Sequence, residues 1–411
     1  MTPIKLYRAM ASRAGHGDSA RGSRKPNVLF IVNSLEVGGA EKHVVTLLNH
    51  LDTSRFGLHL AYLKRKEQLL AQLLPGRLQE LVCCDVQRGI ERRALDRLRR
   101  LIAEKDIDVI LCTNPYSMLY GSLARAGSRT RPRLVTVFHT TLLESFKKKV
   151  QMFLYRHLFA RCDLIVYVSE NQRRYWRNRG ITGAPDCVVY NGIDVQRFAA
   201  DALSDRSGEL RRSMGFDTHD YVIGLCSVLR PEKAHGDLLQ AVARLRSQGI
   251  PAKALLIGDG PERANVERKV AELRLHDHVT ITGMTSDVRP YIGCCDVMAL
   301  VSHSVETFSL AALESMALGK AVVMSDIGGA SEQVIDGRNG LLFEAGNIAA
   351  LTGHLSALSS ESLRRRMGDC AANRVRELFT LEAMIRGFSQ RIEGVLAAGS
   401  PSLGFKPLRR T

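Results

Sequence analysis

"DVMALVSHSVETFSLAALESMALGKAVVM", residues 296–324, reads as a strand, a loop, a helix and a second strand. Residues 296–301 and 320–324 have strand length, and 308–318 carries small and apolar residues in a longer, helical run. A strand–helix–strand succession is the unit of a parallel sheet with helices on its faces. Two carboxylates, Glu306 and Glu314, stand eight residues apart, one in the loop and one inside the helix. The segment between them is uncharged, which makes the two acids conspicuous.

The same alternation continues in both directions. Strands near 221–228, 253–257 and 278–282 precede this stretch, with helices near 235–248 and 262–273. "DGRNGLLF", 336–343, reads as a short hairpin in which Asn339-Gly340 supplies the positive-φ turn. Beyond 347 the pattern is helical to about 397. Toward the amino terminus, strands fall near 28–33, 57–62, 80–83, 108–112, 133–138, 163–168 and 187–190. Amphipathic segments such as 93–104 and 146–160 separate them. A turn-rich stretch, "YNGIDVQRFAADALSDRSG" at 190–208, divides the two series. The expected fold class is α/β, with two doubly wound Rossmann-like domains facing a cleft. The expected boundaries are a disordered basic leader over 1–26, a first domain over 27–190 and a hinge over 191–208. A second domain follows over 209–378, then a helix over 379–397 packing back on the first domain, and a flexible tail over 398–411.

Composition sets limits on function. The chain has 411 residues, enough for two cores, and is 45% hydrophobic and 24% charged. No apolar run approaches the roughly 18 to 20 residues of a membrane span. The first 26 residues are polar and basic, which argues against a secretory signal. Nine cysteines, none in a CxxC pair, disfavour zinc ribbons and thioredoxin-like redox motifs and fit buried thiols in a reducing compartment. The net charge of +16 is lopsided. Residues 1–190 hold 32 Lys and Arg against 16 Asp and Glu, whereas 191–411 hold 26 of each. The first half therefore suits an anionic partner: membrane surface, acidic substrate or nucleic acid.

Ligands of open α/β sheets bind at the carboxyl ends of strands. Gly38 and Gly39 follow the first strand and open a helix, either as a tight turn or as free amides for a phosphate or sugar hydroxyl. His139 closes "RLVTVF"; Arg230 and Lys233 follow "VIGLCSVL" and would neutralise a diphosphate. Gly258-Asp259-Gly260 follows "KALLI", and Glu306 follows "DVMALV". Neither glycine turn is GxGxxG, which disfavours an ordinary dinucleotide site. Asp106 and Asp108 lie at the amino end of a strand, away from the ligand edge, so no metal site is expected there.

Together these pieces resemble the family-4 glycosyltransferases of the GT-B fold, from about 27 to 395. The resemblance rests on "NVLFIVNSLEVGGAEKHV", "RCDLIVYVSE", "VVYNGID", "LRPEKAH", "LLIGDGPER", "ITG", "CCDVMALVS" and "SDIGGASEQVIDGRNGLLF". Its centre is "ETFSLAALE", which matches the family's Glu-x7-Glu spacing. The resemblance implies that Glu306 contacts the donor sugar and Glu314 the ribose hydroxyls, since a carboxylate can accept from a vicinal diol. It implies that Lys233 and Arg230 hold the diphosphate, that Gly39, beside Gly38 in the substrate-binding turn, touches the leaving phosphate or acceptor, and that His139 contacts the transferred sugar. Gly260, Gly283 and Met284 would lie near the base. The amides of Thr307, Phe308, Ser309 and Leu310, at the helix start, would meet a phosphate or sugar oxygen. Two departures stand out. Many relatives carry "EGFG" where this chain has Thr307 and Ser309, and many carry Arg at the position of Val228.

The implied activity is a retaining, metal-independent transfer from a UDP- or GDP-type sugar donor, without cofactor. The acceptor would be a glycan or lipid-linked hydroxyl in envelope or exopolysaccharide synthesis. The first domain would be the acceptor side and the second the nucleotide-sugar side. "ESFKKKVQMFLYRHLF", 144–159, places Lys147, Lys148 and Lys149 ahead of Met152, Phe153, Leu154 and Tyr155. Read as a basic turn before exposed apolar residues, it suggests a cytoplasmic protein held peripherally at the inner membrane face. Two rivals remain at this stage: a nucleotide-sugar epimerase of the same fold, and a basic binding module without enzymic activity. Neither aromatic platforms nor a helix-turn-helix pattern favours nucleic acid.

Overall fold

The computed structural model describes residues 24–139, 146–198, 204–304 and 306–398. The expected leader and tail fall almost wholly outside them. The chain forms two compact units. One comprises the chain up to Val168, then Arg173–Val189 and the chain from Ile385; the other comprises Ser169–Gln172 and Tyr190–Met384.

In the first unit seven strands form one sheet: β1 (Asn27–Val32), β2 (Gly57–Tyr62), β3 (Glu80–Cys83), β4 (Ile107–Thr113), β5 (Arg133–Phe138), β6 (Leu164–Tyr167) and β7 (Asp186–Val188). Their order is β3-β2-β1-β4-β5-β6-β7, and every pairing is parallel. Central strands of such a sheet are covered on both faces, which is why "NVLFIV" and "RLVTVF" are nearly continuous apolar runs. The helix Arg92–Glu104 buries Ala94, Leu95, Leu98, Leu101 and Ile102 at helical spacing and leaves Arg92, Arg93, Arg97 and Arg100 exposed. Asp108 proves to be structural: its two oxygens accept from the Asn27 amide at 2.7 Å and from Arg24 at 2.9 Å. The helix Leu381–Ala397 enters this unit from Ile385, and its Glu393 pairs with Arg55.

The second unit holds β8 (Tyr221–Cys226), β9 (Ala252–Ile257), β10 (Val279–Ile281), β11 (Val297–Leu300), β12 (Val322–Ser325) and β13 (Leu341–Phe343). The order is β10-β9-β8-β11-β12-β13, again parallel throughout. The expected hairpin at 336–343 is not formed. β13 pairs in parallel with β12, and the positive φ belongs to Gly337 (74°). Asn339 is buried, its Oδ1 accepting the Ile335 amide at 2.6 Å, so a local turn signal yielded to side-chain capping in the tertiary fold.

All nine cysteines are free thiols. Burial pushes Cys84 and Cys162 up to about 12, the behaviour of inert core thiols.

Candidate active site

The second sheet reverses its winding between β8 and β11, so the chains leaving these two strands diverge and open a crevice at their carboxyl ends. Cys226, Ser227 and Lys233 line it from β8, Leu300 and Ser302 from β11, and Glu306, Ser309 and Ala311 from the segment that follows. Lys233 arrives on a single 3-10 turn, Pro231–Lys233, that ends at Ala234 in left-handed backbone (φ 49°). Its ammonium donates to Glu306 Oε2 at 2.6 Å, and the Ser302 hydroxyl donates to the same oxygen at 3.0 Å. Lys233 and Glu306, 73 residues apart, thus meet inside the crevice. Their side chains are only 25% and 12% exposed, so the pair interacts in a medium less polar than water. Arg230, three residues earlier at the start of the same turn, is exposed and makes no ion pair among the described residues.

Glu306 leads into the helix Leu310–Ala317, whose N-cap is Ser309; the Ser309 hydroxyl accepts the Ala312 amide at 3.3 Å. Glu314 lies one turn on from Ala311 and therefore on the same helical face. The expectation that the Ser309 amide is available to a ligand is corrected here. It donates to Gln333 Oε1 at 3.0 Å in a buried contact. Thr307 and Phe308 are buried, and the Phe308 carbonyl accepts from Asn191 Nδ2 at 3.1 Å.

The glycine turns are close approaches. A Cβ on Gly260 would lie 2.4 Å from the Leu229 carbonyl oxygen, so the loop after β9 presses directly on the loop after β8. Gly258 and Gly283 form an isolated bridge, and Met284 beside it is 60% exposed. The sequence reading missed four contributors. Gly328 and Gly329 abut the backbone of Glu306 and Thr307, Gln333 brackets Ser309, and His235 bonds Ser227 at 3.1 Å. "SDIGGASEQV" was visible as a motif; which loop it would press against was not.

Gly38, Gly39 and His139 belong to the first unit. The helix Gly39–His50 begins at Gly38 with extended backbone, and a Cβ on Gly39 would meet nothing within 4 Å. Packing among the described residues therefore does not demand glycine at 39. His139 closes β5, its amide donating to Asn114 Oδ1 at 3.2 Å, and its ring lies 4.6 Å from that of His43 on the Gly39–His50 helix. Burial lowers His139 to about 4 and holds His43 well below the usual imidazole value, with His139 adding to the effect. Both rings are neutral at pH 7, suited to hydrogen bonding rather than to carrying charge.

Two family models match the chain: "Glycosyltransferase Family 4" over residues 37–197 and "Glycosyl transferases group 1" over 207–374. The protein belongs to the family-4 glycosyltransferases. Its sheets are those of the GT-B fold. The crystal structure of Anabaena Alr3699/HepE in complex with UDP superposes with a TM-score of 0.78 and 21% identity, covering 90% of this chain and 100% of that one. Among curated relatives, N-acetyl-alpha-D-glucosaminyl L-malate synthase of Bacillus anthracis is 30% identical over 199 residues. That match spans 48% of this transferase and about half, 51%, of the relative. The GDP-mannose-dependent alpha-(1-6)-phosphatidylinositol monomannoside mannosyltransferase of Mycolicibacterium smegmatis is 28% identical over 289 residues, 67% of this chain and 73% of that one.

Proposed function

We propose that this transferase moves a sugar, with retention, from a UDP- or GDP-type donor to a hydroxyl of a glycan or lipid-linked acceptor. The observation that carries the donor-site reading is the Lys233–Glu306 contact in the crevice between β8 and β11. In this reading Glu306 holds the sugar and Glu314 the ribose, while Lys233, Arg230 and the first amides of the Leu310–Ala317 helix hold the diphosphate. As the glycosyl–phosphate bond loosens, charge grows on the phosphate, and these donors stabilise it without a metal. The acceptor hydroxyl attacks from the face the phosphate leaves, and a phosphate oxygen takes its proton. Neutral His139 offers a hydrogen bond to a sugar hydroxyl. Gly38 and Gly39 keep their turn open to the leaving phosphate or acceptor, and Gly260, Gly283 and Met284 lie toward the base. The neighbour bound to UDP and the GDP-mannose-dependent relative support these two nucleotides as first candidates.

Glu314→Ala should weaken nucleoside diphosphate binding by about 1.5 to 3 kcal/mol, the worth of hydrogen bonds to a charged acceptor. Calorimetry with UDP and GDP measures it; wild-type binding to either with unchanged affinity in the variant removes Glu314 from the site.

For the acceptor we infer an anionic or lipid-linked molecule at the cytoplasmic membrane face. Support comes from the charge of the first half and from two relatives whose names include L-malate and phosphatidylinositol monomannoside, both anionic molecules. Among the described residues no helix is long and apolar enough to cross a membrane. On the helix Phe146–Phe159 the expected apolar run is only partly exposed. Met152 is buried and Tyr155 packs on the first core, whereas Phe153 is 56% exposed beneath the Arg156 guanidinium. The side chains of Lys147, Lys148, Lys149 and Leu154 lie outside the described residues. At about 1 kcal/mol per basic residue, replacing the three lysines by Ser should weaken binding to phosphatidylglycerol vesicles roughly 100-fold at low salt. A wild type that stays in the supernatant at low salt would point instead to a soluble acidic acceptor.

A further inference from the structure

We propose that Gln333 is a positioning residue for the donor site, and this rests on the reading of Glu306 and the Leu310–Ala317 helix as that site. Its side chain is fully buried. Oε1 accepts the Ser309 amide at 3.0 Å, and Nε2 donates to the Ser309 carbonyl at 2.9 Å. A side-chain amide that meets both backbone groups of one residue imitates a neighbouring strand and fixes that residue on both sides. Gln333 is itself immobilised, because its carbonyl accepts from Asn339 Nδ2 at 3.1 Å and from Arg374 Nε at 2.9 Å. At the other end of the segment the Gly329 amide donates to the Glu306 carbonyl at 3.1 Å. The short helix Ala330–Gln333 and the glycine before it therefore grip both ends of Glu306–Ser309.

The consequence concerns which amides a donor can use. A helix start leaves four N–H groups without intrahelical partners, here those of Ser309, Leu310, Ala311 and Ala312. Gln333 takes the first and the Ser309 hydroxyl takes the fourth. Among the described residues the amides of Leu310 and Ala311 are left, and Ala311 lines the crevice. Two adjacent amides suit one phosphate group. The second phosphate of a diphosphate then depends on Lys233 and Arg230, which stand on a different loop. Gln333 thus sets which phosphate meets backbone and which meets side chain, and keeps the Glu306 carboxylate in register with both.

Gln333→Met keeps length and bulk but removes both bonds; Gln333→Glu keeps the acceptor for the Ser309 amide and loses the donor. Three readouts are needed: hydrogen exchange of the ligand-free proteins over 306–312, calorimetry with UDP and GDP, and sugar release from UDP-glucose and GDP-mannose without acceptor. Gln333→Met should speed exchange at Ser309 at least tenfold and lower kcat for sugar release at least tenfold. KM and nucleotide Kd should move less than threefold, because Lys233 and Arg230 are untouched. Gln333→Glu should fall between Met and wild type in kcat. Exchange that stays at the wild-type rate overturns the proposal, as does a kcat within twofold of wild type. A parallel loss of kcat, Kd and Tm also overturns it, since the side chain would then only support the fold. A wild type that binds neither nucleotide and releases neither sugar defeats the donor-site reading instead, and exchange at Ser309 still decides the bracket.

Discussion

Glu306→Gln should lower transfer by about 10²- to 10³-fold while leaving nucleoside diphosphate affinity equal to wild type or tighter. The first half follows from the site reading: a carboxylate facing the donor sugar acts where charge develops, and removing one such group costs of that order in kcat. The second half follows from geometry. The Lys233 ammonium is bound to Glu306 Oε2 at 2.6 Å, so on the proposed reading the cation for the diphosphate is partly neutralised by the acid for the sugar. The pair is only partly exposed, and solvent screens it weakly. An amide at 306 keeps the shape and one hydrogen bond but returns the full charge of Lys233 to the phosphates. Lys233→Ala should do the opposite and weaken nucleotide and donor alike. Steady-state turnover and calorimetry separate the cases. Near-normal turnover in Glu306→Gln would end its assignment to the sugar, and a tenfold loss of UDP or GDP affinity would reassign it to the nucleotide.

Gly328→Ala should destabilise the second unit by about 2 to 5 kcal/mol. Left-handed backbone at φ 58° costs an alanine about 1 to 2 kcal/mol, and overpacking against fixed backbone costs about 1 to 3 more. The obstacle is rigid: a Cβ at Gly328 would stand 1.8 Å from the Glu306 carbonyl oxygen. Relief must come from moving the loop that carries Glu306, so activity should fall along with Tm. Gly319→Ala is the control. Its φ is 69°, yet a Cβ there meets nothing within 4 Å among the described residues, so it should cost the backbone share alone. Scanning calorimetry on the two variants reads the difference, and equal losses would show that the Gly328 contact carries no energy of its own.

Much of the crevice proposed as the donor site could be read from residue order. "DVMALV" and "KAVVM" are apolar runs bounded by polar or small residues, and they became β11 and β12 with the helix between them. Lys233, Arg230 and Glu306 were picked out because they follow strands, and the crevice did open at the carboxyl ends of β8 and β11. The Asn339-Gly340 hairpin failed for a reason of the same kind turned around. The dipeptide is a local turn signal, but burial gave Asn339 a capping task and β12 gave Leu341–Phe343 a parallel partner. The loop at Ser309 looked like a row of open amides because nothing near it in sequence competes for them; Gln333 is 24 residues away.

By itself, then, the sequence determined what short-range physics controls: strand and helix segments, the two-sheet α/β class, the uneven charge, and the placing of Lys233, Arg230, Glu306 and Glu314 after their strands. Only the tertiary structure decided that Lys233 and Glu306 touch, that Gly328 must lack a side chain, and that Gln333 claims the Ser309 amide. Those facts join loops that follow different strands. Their separation depends on how sheet order and helix packing bring β8, β11 and β12 side by side, and hydrophobic period and turn preference act over too few residues to specify it.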